Sequence, residues 1–149
     1  METIINVAKT YDAIKIIEEF SKKELIGKMI LVRNLHLKKL NSIYGQTIFL
    51  KNDAFINSET LWAATQPFGE VGSNLSHNAH NLKPKEIIKS FQMLSKSKNI
   101  KPSYYGRFIV ITMSGNTLFD IAVVIDPKSE NVSLPFISNK IVSIFPKFK

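Results

Sequence analysis

Two hydrophobic periods divide this chain. The first part carries apolar residues mainly at helical spacing, and the last part carries them in short strand-like runs. Thr10 to Leu25 (TYDAIKIIEEFSKKEL) places Ile14, Ile17, Phe20 and Leu25 on one stripe, with Lys and Glu on the other face. That spacing predicts an amphipathic helix, with Gly27 as its stop. Lys28 to Arg33 (KMILVR) reads as a short apolar strand. Asn34 is placed to cap a short helix running through Leu40 to Tyr44 and ended by Gly45. Thr47 to Lys51 (TIFLK) reads as a second strand, and Ser58 to Ala64 as a short helix around Trp62, the only tryptophan.

A polar stretch follows, Gln66 to Leu82 (QPFGEVGSNLSHNAHNL). Irregular segments of this length inside a domain are often functional. Pro84 then sits where a helix favours proline, at its first position. Ile87, Ile88, Phe91 and Leu94 form the buried stripe of that helix, and Lys85, Lys89 and Lys96 line its outer face.

After Pro102 the period shortens. Arg107 to Met113 (RFIVITM) and Leu118 to Ile125 (LFDIAVVI) flank Ser114-Gly115-Asn116, a β-hairpin signal. Asp126-Pro127 reads as the start of another loop, and Lys140 to Phe145 (KIVSIF) as a last strand. Helices followed by a run of antiparallel strands indicate an α+β fold. Neither the dinucleotide-binding nor the phosphate-loop glycine motif occurs. No repeat divides the chain. At 149 residues it is expected to be one domain, 1–149, because a chain of this length buries roughly 70% of its unfolded surface and halves would be thin.

Charge sharpens this picture. Lys and Arg number 20 against 12 Asp and Glu, a net charge of +8. Met1 to Leu75 holds nine bases and eight acids, whereas Ser76 to Lys149 holds eleven bases and four acids. The positive field belongs to the second half, where it would attract a polyanion. A lysine-rich composition without a role produces the same sum, but the asymmetry directs attention to nucleic acid. There is no cysteine, which excludes disulfides, thiolate metal sites and a Cys nucleophile. The sequence lacks the run of about 18 apolar residues a membrane span needs, and its start has no apolar region of a signal peptide.

Few residues fit proton-transfer or phosphate chemistry. His77 and His80 stand three apart in SHNAH, and histidine exchanges protons near neutral pH. As a zinc pair they lack further ligands at recognised spacing. His36, between Leu35 and Leu37, reads as a surface or partly packed residue. Arg107 is the only arginine besides Arg33, and its planar fork can hold a phosphate through two hydrogen bonds where lysine cannot. Tyr104 and Tyr105 precede it, a pairing of rings and cation suited to stacking on RNA bases. Ser143 alternates with Val142 and Ile144 and is expected to face away from both. The acids of the second half, Glu86, Asp120, Asp126 and Glu130, are scattered, which disfavours a two-metal nuclease. A serine hydrolase elbow is absent.

The order of these segments resembles a known group. A histidine-containing loop (LSHNAHNL) leads into a proline-started helix (KPKEIIKSFQML). A connection (SKNIKP), an arginine-started strand (RFIVITM), a hairpin strand (LFDIAVVI) and a last strand (IVSIFPK) follow. This is similar to the barnase–EndoU–colicin–RelE superfamily of small ribonucleases, and most to its phage- and polymorphic-toxin-associated branch. The resemblance covers about Leu61 to Lys149 and implies a nuclease core over 61–149 preceded by a helix and strand portion, 1–60. It implies N-terminal helices packed on a four- to five-stranded antiparallel sheet formed mainly by the C-terminal half. It also implies metal-independent cleavage of RNA without a cofactor, with His77 or His80, Arg107 and Ser143 as catalytic residues. Lys83, Lys85, Lys101, Tyr104, Tyr105 and Lys147 are the candidates for holding RNA, with tRNA among the substrates to be considered. An immunity or antitoxin protein would be a second partner, and the cytoplasm the place of action. The last strand offers Phe145, Lys147 and Lys149 but no histidine or glutamate, so the second proton-transfer group stays unnamed. The competing expectation is an inactive member that binds nucleic acid or protein on the same fold.

Overall fold

The chain opens with a β–α–β unit. Strand β1 (Thr3–Asn6) leads through helix α1 (Thr10–Phe20) to strand β2 (Met29–Arg33), and the two strands pair in parallel. These elements belong to a computed structural model that describes residues 3–21, 27–43, 52–66, 80–113, 115–130 and 137–149. A 3-10 turn, Leu37–Ile43, precedes β3 (Ala54–Asn57), which pairs antiparallel with β2 and runs straight into helix α2 (Ser58–Thr65). Helix α3 (Pro84–Met93) follows, then strands β4 (Asn99–Pro102), β5 (Phe108–Thr112), β6 (Phe119–Glu130) and β7 (Ile137–Phe148).

These strands form one seven-stranded sheet in the order β1-β2-β3-β7-β6-β5-β4. β4 to β7 make an antiparallel meander, and β3 joins it by pairing in parallel with β7. This corrects the expected four- to five-stranded antiparallel sheet. The first portion of the chain supplies three strands to the same sheet, of which β2 is the strand expected over Lys28 to Arg33, and two of the pairings are parallel. The physical reason is length: β1, β3 and β4 have four residues each, too few for a strand period to be visible. The expected strand Thr47 to Lys51 lies outside the described residues, as does Gly45.

One face of the sheet carries the helices. Ala13, Ile17 and Phe20 of α1, Leu61 and Ala64 of α2, and Ile87, Ile88 and Phe91 of α3 meet Ile5, Ile30, Val32, Ile56, Val110, Ile121, Val123, Ile125, Ile141 and Ile144 in one continuous core. Each large aliphatic or aromatic side chain buried there stabilises the fold by about 1.5–3 kcal/mol. Residues from both 1–60 and 61–149 contribute.

Polar contacts fix the helix positions. Ser58 Oγ accepts from the Lys28 N–H at 2.9 Å, while the Ser58 N–H donates to the Lys28 carbonyl at 2.8 Å. Gln92 Nε2 donates to the Val7 carbonyl at 2.7 Å and to Thr10 Oγ1 at 2.9 Å, which pins α3 to the start of α1. The Glu86 carboxylate accepts from the Lys83 N–H at 2.9 Å, closing the first turn of α3. Asn34 and His36 both adopt left-handed backbone, φ 66° and 56°, so the chain turns there rather than starting a helix at Asn34. His36 is exposed. No helix among the described residues is long and apolar enough to cross a membrane.

Candidate functional site

Strand pleating sends alternate side chains to opposite faces, and the register therefore defines what the outer face of the sheet presents. Ile144, Val123 and Val110 are buried on the helical face, so their neighbours point the other way. Lys101, Ile109, Val124 and Ser143 form one row across β4, β5, β6 and β7. Asn99, Ile111, Ala122 and Phe145 form the next. On the other side of the Ser143 row, Lys140 pairs with Asp126, and Asp126 faces Arg107, which immediately precedes β5. That row continues onto the N-terminal strands through Phe55, Leu31 and Ile4. The result is an apolar floor between charged and hydroxyl-bearing side chains.

A β-bulge shapes this surface. Val124 pairs with Ser143 and Ile125 with Ile141, which leaves Val142 as an extra residue in β7. In a regular strand, positions three apart face opposite sides. The bulge instead puts Ile141 and Ile144 together in the core, and Lys140 and Ser143 together on the outer face. A second irregularity lies between Asp126 and Ser129, at Pro127, a residue tolerated within sheets at such places. β6 therefore runs on to Glu130, and Asp126 is a strand residue rather than the start of a loop.

Arg107 is held at its base by the hairpin that joins β4 to β5. Its N–H donates to the Tyr104 carbonyl at 3.2 Å, and its carbonyl accepts from the Ser103 N–H at 2.8 Å. Its Nε lies 3.7 Å from Asp126 Oδ2, an ion pair with side-chain exposures of 37% and 21%. That Nε is buried and has no hydrogen-bond partner. A buried donor without a hydrogen bond carries a cost, which the neighbouring Asp126 carboxylate offsets in part. The guanidinium also lies 5.8 Å from the centre of the Tyr105 ring.

His80 meets β7 at Phe145. Its N–H donates to the Ala63 carbonyl at 3.1 Å, and the next residues continue the pairing, Asn81 to Gln66 and Leu82 to Ala64. These bonds tie the chain to the end of α2. The His80 ring is then 6.2 Å from the Phe145 ring, centre to centre, tilted by 45°. Phe145 shares its face with Ser143 one row away. From strand spacing and rise, the Arg107 and Ser143 Cα atoms are about 12 Å apart.

Of the four expected catalytic residues, the structure brings Arg107 and Ser143 to one face and sets His80 against Phe145, while His77 lies outside the described residues. Among the residues expected to hold RNA, Lys101 and Lys147 stand exposed on this same face, and Tyr104 and Tyr105 at the hairpin tip beside Arg107. Lys83 and Lys85 do not join them. They are exposed at the start of α3, which belongs to the helical layer. Asp126 and Lys140 were absent from the sequence-based set. Their only signal is opposite charge, because their juxtaposition depends on the register of β6 and β7. Among the described residues, no three acids or histidines gather as metal ligands would.

The chain was compared with protein-family models, curated proteins and solved structures, and nothing matches it significantly in any of the three.

Proposed function

We propose that this chain is a metal-independent endoribonuclease working on the outer face of its sheet. The observation that carries the reading is the placement of Arg107 and Ser143 on that one face, with the His80 ring beside Phe145, the next outward residue of β7 after Ser143. The chemistry needs a base, a hydroxyl or amide donor and a cation around one phosphate. His80 in its neutral form takes the proton from the ribose 2′-OH. The 2′-oxygen then attacks the adjacent phosphorus, and the bond to the 5′-oxygen breaks. Arg107 and Ser143 hydrogen-bond the non-bridging oxygens, whose charge grows in the transition state. The 5′-oxygen leaves with a proton from water or from a second group, giving a 2′,3′-cyclic phosphate and a 5′-hydroxyl. DNA lacks the attacking hydroxyl and is not a substrate. An activity of this kind harms the cell that makes it, as an effector or toxin does.

The test is cleavage of RNA in excess chelator by the wild type and by the variant carrying His77→Ala and His80→Ala together. The reading expects cyclic-phosphate products from the first and a loss of at least about 100-fold in rate for the second. Unchanged cleavage by the double variant would sink it.

A second reading, RNA binding without cleavage, is favoured by one observation. The Arg107 guanidinium is already engaged with Asp126, which offsets its charge. That reading expects salt-sensitive binding of RNA and no products.

A further inference from the structure

The hairpin joining β4 to β5 ends in two aromatic rings with almost no cover. Tyr104 is 83% exposed and Tyr105 is 90% exposed. Isolated surface aromatics are ordinary, but these are adjacent, and the backbone holds them out in an unusual way. Tyr105 has φ 60° and ψ 31°, inside the left-handed region that a bulky residue rarely adopts. Gly106 follows at φ 75°, so two consecutive residues turn with positive φ. A Cβ at Gly106 would meet nothing within 4 Å, which means glycine is needed there for the turn and not for space. The loop is closed beneath the rings by the bonds between Ser103 and Arg107 and between Arg107 and Tyr104. The rings are therefore presented by a fixed turn. Strained backbone of this kind is found where a site is built for function.

The surroundings say what the rings would meet. The Arg107 guanidinium lies under the Tyr105 ring, and the exposed Lys101 stands on the adjoining strand and face. Cations interleaved with bare aromatic rings suit a chain of phosphates carrying flat, unstacked bases. A duplex keeps its bases stacked and offers such rings nothing.

We infer that Tyr104 and Tyr105 form a stacking platform for unpaired RNA bases, which selects single-stranded over double-stranded RNA and delivers the strand to Arg107. This rests on the reading that RNA is the partner, and it does not require that RNA be cut.

The probe is a short fluorescent RNA of mixed sequence with 2′-O-methyl groups throughout. It cannot be cleaved, so binding is read apart from catalysis. Anisotropy titrations compare this single strand with the same strand annealed to its complement. The wild type is expected to bind the single strand more tightly. Tyr104→Ala with Tyr105→Ala is expected to weaken single-strand binding by about fivefold to 150-fold for each base that loses its ring, and to leave duplex binding unchanged. Tyr105→Gly removes the ring but suits the left-handed backbone. It should keep or raise the melting temperature and still weaken single-strand binding, whereas Tyr105→Phe should bind as the wild type does. Equal affinity of the double alanine variant and the wild type for the single strand would overturn the inference. So would an equal loss on both probes, or no binding of the single strand by the wild type. Failure of RNA cleavage alongside the expected binding pattern would overturn only the catalytic reading.

Discussion

Arg107 and Asp126 face each other across β5 and β6, with the guanidinium Nε 3.7 Å from the carboxylate Oδ2 and no hydrogen bond completed at that nitrogen. The pair sits at the end of the outer sheet face nearest the tyrosine hairpin. On the opposite side, Lys140 of β7 is the register partner of Asp126.

Arg107→Lys keeps the charge and loses the fork. A lysine cannot donate two parallel hydrogen bonds to one phosphate. Cleavage of RNA is expected to fall by roughly 100-fold or more, the scale of losing one oriented donor to the transition state. Stability, read by urea denaturation, should change by no more than about 1 kcal/mol, because the ion pair is partly exposed.

Asp126→Asn removes the negative charge from the phosphate-binding end. RNA affinity is expected to rise roughly threefold to tenfold at low salt, the worth of one like charge a few ångströms away near a surface. The gain should shrink as salt is added. An affinity that stays constant or falls, measured by titration with uncleavable RNA, would count against Arg107 as a phosphate ligand.

Deleting Val142 tests the bulge. Without the extra residue, Ile141 and Ile144 stand two apart, as do Lys140 and Ser143, so a regular strand keeps the first pair in the core and the second on the outer face. The expected change in stability is no more than the roughly 0.5–3 kcal/mol of an ordinary single change, because no large side chain leaves the interior. Thermal unfolding measures it. For comparison, Phe91→Ala, at a fully buried ring on α3, is expected to cost about 3–5 kcal/mol without altering the outer face.

Much of this architecture was visible as pattern. Pro84, Ile87, Ile88, Phe91 and Leu94 announce α3 and its buried stripe, since proline position and helical spacing are local signals. The runs around Ile109 to Thr112 and Ile121 to Ile125 announce β5 and β6 for the same reason. What stayed hidden is non-local. The parallel pairing of β3 with β7 joins Phe55 to Lys140, and nothing in AFIN or IVSIF marks that partner. The bulge at Val142 is likewise a property of two strands together. Asp126 looked like a loop residue because Pro127 follows it, and Pro127 proves to sit at a strand irregularity. Arg107, Ser143 and His80 were picked out as separate chemistry-bearing residues and by resemblance to a ribonuclease group. The placement of Arg107 and Ser143 on one face came from the register.

Salt dependence tests the basic surface. For single-stranded RNA, each phosphate neutralised contributes about 0.7 to the slope of log affinity against log salt. Lys101→Ala and Lys147→Ala, on the outer face, should each lower that slope by about this amount. Lys85→Ala, in the helical layer, should leave it unchanged.

The most direct measurement of the central claim is product analysis after incubating the purified protein with RNA, and with DNA of the same sequence, in excess chelator. RNA fragments ending in 2′,3′-cyclic phosphate and 5′-hydroxyl are expected, with the DNA intact. RNA that stays whole, or DNA that is cut alongside it, would contradict a metal-independent ribonuclease built on the outer sheet face.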